Sequence, residues 1–157
     1  MSEKIFLEEA YKEALKAYKK GEVPIGAVVV KDGKIIGRGH NKRIEKKNAL
    51  YHAEIVAIEE ACKSVGNWRL DDCVIYVTVE PCVMCAGAIM QSRIRKVVFG
   101  AKDEKGGAVV SQYTLFSNKK LPFKIDFSYV ECEKCSQILK DFFKERRLKP
   151  SSENQEE

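Results

Sequence analysis

The chain has 157 residues, enough for one domain burying about two-thirds of its unfolded surface, and its 45% apolar and 32% charged content is that of an ordinary globular protein. Formal charge is +5, and because the segment Pro150 to Glu157 holds three Glu and no Lys or Arg, the rest carries +8, which favours a polyanionic partner such as nucleic acid. No apolar run approaches membrane-spanning length, the Glu-rich N-terminal stretch argues against a transit peptide, and six cysteines, two in a metal-type spacing, suit a reducing, cytoplasmic compartment better than a disulfide framework.

Residues 3–20 read as a helix, with Ile5, Leu7, Ala10, Tyr11, Ala14, Leu15 and Tyr18 as its apolar stripe and Gly21 as its stop. Ile25 to Val30 is a strand. Asp32-Gly33 then joins it to Ile35-Ile36-Gly37, a hairpin signal because such a turn requires positive φ. Between Gly39 and Tyr51 periodicity is lost, and His40 to Arg43 with Lys46-Lys47-Asn48 makes a basic loop, either solvated or in contact with phosphate. Asn41 within it is a turn former or a group that presents its amide to a base edge.

The next helix starts near His52 and carries Ile55, Ile58, Ala61 and Cys62 on its apolar face. Val74 to Val79 is continuously apolar, as a strand buried on both faces would be. It stops at Glu80-Pro81, and Pro81 is expected at a first helical position, where the missing N–H costs nothing. Cys82 and Cys85 then fall three apart on the first turn, where the helix dipole favours thiolate. A short strand, 96–100, follows, so strand, helix and strand imply a parallel pair. Residues 101–123 are too long for an ordinary loop and read as a segment over a site, with one helical turn at 113–116. Ile125, Phe127 and Tyr129 alternate with polar residues as in an outer strand. A last helix, about Glu131 to Arg147, turns Cys135, Ile138, Leu139, Phe142 and Phe143 inward and ends in basic residues. One domain, 1–149, and an acidic, disordered tail, 150–157, complete the expectation.

His-x-Glu followed by Pro-Cys-x-x-Cys offers three metal ligands and a carboxylate. Zn²⁺ favours such an N/S set, and three protein ligands leave a fourth position for water, as in a catalytic site. His52 and Glu54 lie roughly 200° apart around a regular helix, so they share a site only if it sits just off the helix end. Cys132 and Cys135 repeat the CxxC spacing. A four-cysteine ribbon is therefore the alternative, but it would leave His52 and Glu54 unexplained, and same-face packing accounts for the second pair more simply.

This signature is that of the zinc-dependent nucleobase deaminases, and the chain most resembles their tRNA-specific adenosine deaminase branch. The matching stretches are Val23 to Val28, Gly39-His40-Asn41, His52-Ala53-Glu54, Trp68-Arg69-Leu70, Tyr76 to Ile89, Ser92-Arg93-Ile94, Val97 to Ala101, Asp103, Lys105-Gly106-Gly107, Asp141-Phe142-Phe143 and Arg146-Arg147. The resemblance implies an α/β fold of three αβα layers, with a mixed sheet of about five strands and the N-termini of both motif helices meeting at one zinc. It implies zinc ligands His52, Cys82 and Cys85, and Glu54 as proton shuttle. Asn41 and the backbone of Ala53 would hold the target base. Lys102, Asp103 and Lys105 would meet the RNA backbone, with Phe143 and Arg146 on an RNA-contacting last helix. A homodimer acting on the tRNA anticodon stem-loop, with no membrane and no organic cofactor, follows. A free-base or nucleoside deaminase (guanine or cytosine type) shares the metal site without needing the basic surface; a non-enzymatic zinc-binding subunit would not need Glu54. Tyr51, where a small residue is expected, and Leu121-Pro122-Phe123, in place of an Asn-His pair, depart from the family pattern.

Overall fold

A computed structural model of the chain describes residues 2–148; Lys149 and the acidic tail expected at 150–157 lie outside the described residues. Five strands form one sheet: β1 (Gly26–Lys31), β2 (Lys34–His40), β3 (Cys73–Val77), β4 (Lys96–Phe99) and β5 (Asp126–Tyr129). Their order is β2-β1-β3-β4-β5. β1 is antiparallel to β2 and β3, whereas β3–β4 and β4–β5 are parallel, so the sheet is mixed.

The hairpin turns where Asp32-Gly33 requires it: both residues have positive φ, 51° and 76°, and Lys31 pairs with Lys34. β3 is buried at all five positions. Ile75 and Val77 join the cluster formed with α2 (Ala53–Val65) and α3 (Val83–Gln91), while Val74 and Tyr76 join Leu7 and Phe6 of α1 (Ser2–Lys19) on the opposite face. α4 (Glu133–Arg147) lies beside α1, with Tyr18 edge-on to Phe142. The result is three layers, α1 and α4 over one face and α2 and α3 over the other. Each buried aliphatic side chain contributes about 1.5–3 kcal/mol, so the central strand is a main source of stability.

α2 lies so close to β2 that a Cβ on Gly39 would stand 2.4 Å from the Ala53 carbonyl oxygen, and one on Gly37 would stand 2.3 Å from that of Ala57. Only a bare backbone permits this approach. It presses the first turn of α2 against the sheet, next to His52.

Four expectations need correction. Ile5, assigned to the buried stripe of α1, is 57% exposed; the covered side runs through Leu7, Ala10, Glu13, Ala14 and Ala17. Pro81 does not open α3. The N-cap is Cys82 in extended conformation, because Pro81 precedes the turn that Cys82 itself begins. The helical turn in the 101–123 segment is a 3₁₀ turn at Leu115–Ser117, two residues later than read. Finally, Cys132 caps α4, and its sulphur is joined to that of Cys135 as a local disulfide. The same pair packs against Val79, Ala101 and Leu139, as expected of same-face residues.

Buried carboxylates hold the irregular parts. Glu22 accepts hydrogen bonds from the N–H groups of Ile44 (3.2 Å) and Glu45 (2.7 Å), which pins the basic loop after Asn41 to the end of α1. Glu13, 2% exposed, accepts from Nδ1 of His40 (3.2 Å) and pairs with Lys16 and Arg38. Among the described residues, no helix is long and apolar enough to cross a membrane.

Candidate metal centre and adjoining cleft

His52 and Cys82 are the N-caps of α2 and α3, both extended, and neither uses its side chain to cap its own helix. Their side chains are therefore free to meet off the two helix ends, which both point to one place. Nδ1 of His52 lies 3.7 Å from the Cys82 sulphur and 3.5 Å from the Cys85 sulphur. The three donor atoms lie within 4.8 Å of one another, and Cys85 is fully buried. Donors held about 2.0–2.3 Å from a tetrahedral ion are roughly 3.5–3.8 Å apart, so this triangle fits zinc in both spacing and chemistry. Cys132 and Cys135 are not in the group, which removes the four-cysteine ribbon.

The electrostatics favour the same use. The Cys85 thiol donates to the Cys82 sulphur and, with His52, outweighs the effect of burial, bringing Cys82 down to about 4. The same contact, with burial, pushes Cys85 up. His52 is raised, mainly by its contact with Cys82. A metal that binds here displaces the proton the thiols share, as thiolate coordination requires.

Glu54 is 4% exposed on the first turn of α2, beside Cys85. Burial lifts its carboxyl to about 7 against the opposing effects of its own backbone N–H and of His52. A carboxyl near neutrality can both take and give a proton at working pH. It is not one of the three clustered donors.

Asn41 directly follows β2 and is 5% exposed. Its side-chain oxygen accepts from the Arg43 N–H (3.2 Å), and the next residue, Lys42, donates to the Tyr51 carbonyl beside His52. The turn-forming role is thus real, and it places Asn41 next to the chain that carries His52. Tyr51 directs its hydroxyl to Glu59 (3.0 Å). The ring's bulk is therefore fixed along α2.

Lys102, Asp103 and Lys105 line a cleft of about 610 Å³ together with Leu139, Phe143 and Arg147 of α4. Lys102 stands over the Tyr129 ring (4.9 Å), and Asp103 turns the loop by accepting from the N–H groups of Lys105 and Gly106. Arg146 lies elsewhere. Its guanidinium is over Phe142, donates to the Gly21 carbonyl (3.4 Å), and lines a small pocket with Asn41 and Arg43. Arg147, rather than Arg146, is the arginine that faces the Lys102–Lys105 loop. Helical spacing alone held the signal, since Phe143 and Arg147 are four apart.

Three comparisons accord with this geometry. The description of MafB19-like deaminases matches residues 1–147. A tRNA-specific adenosine deaminase of Bacillus subtilis (strain 168) is 47% identical over 148 residues, covering 94% of this chain and 92% of the relative. A solved structure from work on A-to-I editing by tRNA:A34 deaminases at the wobble position of transfer RNA superposes with a TM-score of 0.82. It is 43% identical, covering 87% of this chain and 99% of its own. A guanine deaminase of Bacillus subtilis gives a TM-score of 0.62 at 33% identity, covering 95% of this chain and 96% of its own.

Proposed function

The chain belongs to the tRNA-specific adenosine deaminase family, within the cytidine deaminase-like superfamily, and we propose that it deaminates adenosine to inosine at the wobble position of tRNA with one zinc held by His52, Cys82 and Cys85. The observation that carries this beyond the metal site is the cleft: three cations, Lys102, Lys105 and Arg147, outnumber the carboxylates of Asp103 and Glu104 there and share the groove with the Phe143 ring, more than a small neutral base requires. An anticodon stem-loop supplies what such a groove needs, phosphates for the cations and unstacked bases for the aromatic ring.

A bound zinc supplies Lewis-acid activation of water near neutral pH. Glu54, buried and poised near neutrality, takes the proton of the attacking water and passes it to N1 of adenine. It then assists the departure of ammonia from C6, leaving inosine. Asn41 and the backbone of Ala53 hold the target base, which an anticodon loop can splay out at low cost. Lys102, Asp103 and Lys105 hold the adjoining RNA backbone, and Phe143 and Arg146 add contacts from α4. The domain 1–149 acts as a unit in the cytoplasm, where tRNA is, and as a homodimer; the exposed apolar Leu50 and Val83 suit a surface that a second copy covers.

The guanine deaminase likeness is the specific ground for the rival, action on a free base. Binding of an anticodon stem-loop across a salt series separates the two. On the tRNA reading, log affinity falls against log salt with a slope of about −0.7 per phosphate contact, and free guanine, cytidine and adenosine are poor substrates. Salt-insensitive binding with rapid turnover of a free base would establish the rival.

A further inference from the structure

Glu80 lies between the end of β3 and the cysteine turn, 3% exposed, and its carboxylate has no part in the metal group. It accepts five hydrogen bonds, all from the segment after β4. Oε1 takes the Asp103 N–H (3.1 Å) and the Ser111 hydroxyl (2.6 Å). Oε2 takes the successive N–H groups of Val109 (2.9 Å), Val110 (2.8 Å) and Ser111 (3.0 Å). The backbone adds two ties at the same place: Glu80 donates to the Ala101 carbonyl, and Ala108 to that of Pro81 (each 2.8 Å). At Gly107 a Cβ would stand 2.3–2.5 Å from the carboxylate atoms, so the loop closes over Glu80 only because that residue has no side chain.

One side chain thus fixes two things. On its chain side, Pro81 leads directly into Cys82 and Cys85. On its hydrogen-bonded side sits the loop that carries Lys102, Asp103 and Lys105 into the basic cleft. We propose that Glu80 is a positioning residue that sets the RNA-gripping loop in register with the metal centre, so that a gripped backbone delivers its base to Glu54. This rests on the tRNA reading above. Five donors converging on one carboxylate call for an acceptor-only side chain. A glutamine in the same place turns an NH₂ towards N–H groups, leaving some of them unpaired.

The test uses the zinc-loaded protein and a tRNA anticodon stem-loop. Glu80→Gln is expected to keep one zinc per chain and to raise KM for the stem-loop by roughly tenfold to a hundredfold. kcat should fall as well, because a backbone gripped out of register holds its base away from Glu54. Amide hydrogen exchange at 103–111 should quicken in parallel. Ser111→Ala, which removes one donor of the five, should move KM and exchange the same way by less. Gly107→Ala, which displaces the carboxylate from the other side, should match Glu80→Gln. A purely architectural role would lower Tm while leaving KM untouched in the variants that fold, and that result overturns the proposal. So does a Glu80→Gln protein that fails to fold while Ser111→Ala and Gly107→Ala keep the wild-type KM. If the wild type makes no inosine, the tRNA reading fails by itself. Glu80 is then judged on stem-loop dissociation constant and loop exchange, and equality between wild type and Glu80→Gln would refute it.

Discussion

Deamination turns on Glu54 and the three donors beside it. Glu54→Gln preserves size and helix propensity but cannot take up a proton at neutral pH. Deamination should fall by at least ~10²–10⁴-fold, the usual range for lost general acid–base catalysis, while zinc content and fold stay unchanged. Metal analysis and single-turnover assays check both halves; a mutant that lost its zinc would make Glu54 a ligand. A second outcome separates the two CxxC pairs. A Cys132→Ser/Cys135→Ala protein should still hold one zinc per chain, because those sulphurs bond to each other and pack at the start of α4, away from His52. Loss of metal in that protein, still folded, would sink the three-donor site.

Among the elements, the contact of α1 with β2 has its own test. Burial pushes the Glu13 carboxyl up, but hydrogen bonds from His40 and Lys16 outweigh it and bring it to about 2, below the ordinary 4.5. A carboxyl depressed on folding stabilises the folded state fully above its unfolded value and loses that effect as pH falls through the folded one. Glu13→Gln should therefore cost about 1.5–3 kcal/mol near neutrality, the range for hydrogen bonds to a charged group. The gap between wild type and mutant should close as pH drops from 4.5 towards 2. Urea unfolding at several pH values reads this directly, and a gap that widened in acid would contradict it. Which elements could be read in advance follows the same local logic. The Asp32-Gly33 turn, the apolar β3 and the His-x-Glu start of α2 each announce themselves within a few residues. Glu13, Glu22 and Glu80 do not, since each is buried by partners far along the chain: His40, Ile44 and Ser111. A carboxylate directly after a largely apolar run, as Glu80 follows Val74 to Val79, is the one local hint. Pro81 imitates the start of α3 for a related reason, because an N-cap cysteine whose side chain does not cap its own helix breaks the usual capping pattern.

For the molecule as a whole, the grouping of His52, Cys82 and Cys85 was legible because donors that can share one metal are restricted in both residue type and spacing. The cleft was not legible: resemblance pointed to Lys102, Lys105 and Phe143 separately, but these meet Arg147 by way of β4, β5 and α4 rather than by any short motif. On a shared fold, substrate class is decided by the site and not by the architecture. The most direct measurement is therefore of product. Purified, zinc-loaded protein is incubated with total tRNA, and the RNA is digested and analysed for inosine by mass spectrometry, beside parallel reactions on guanine, cytidine and adenosine. The account predicts new inosine at a tRNA wobble position, abolished by Glu54→Gln, with little turnover of the free compounds. Rapid deamination of a free base with tRNA left unchanged would contradict it.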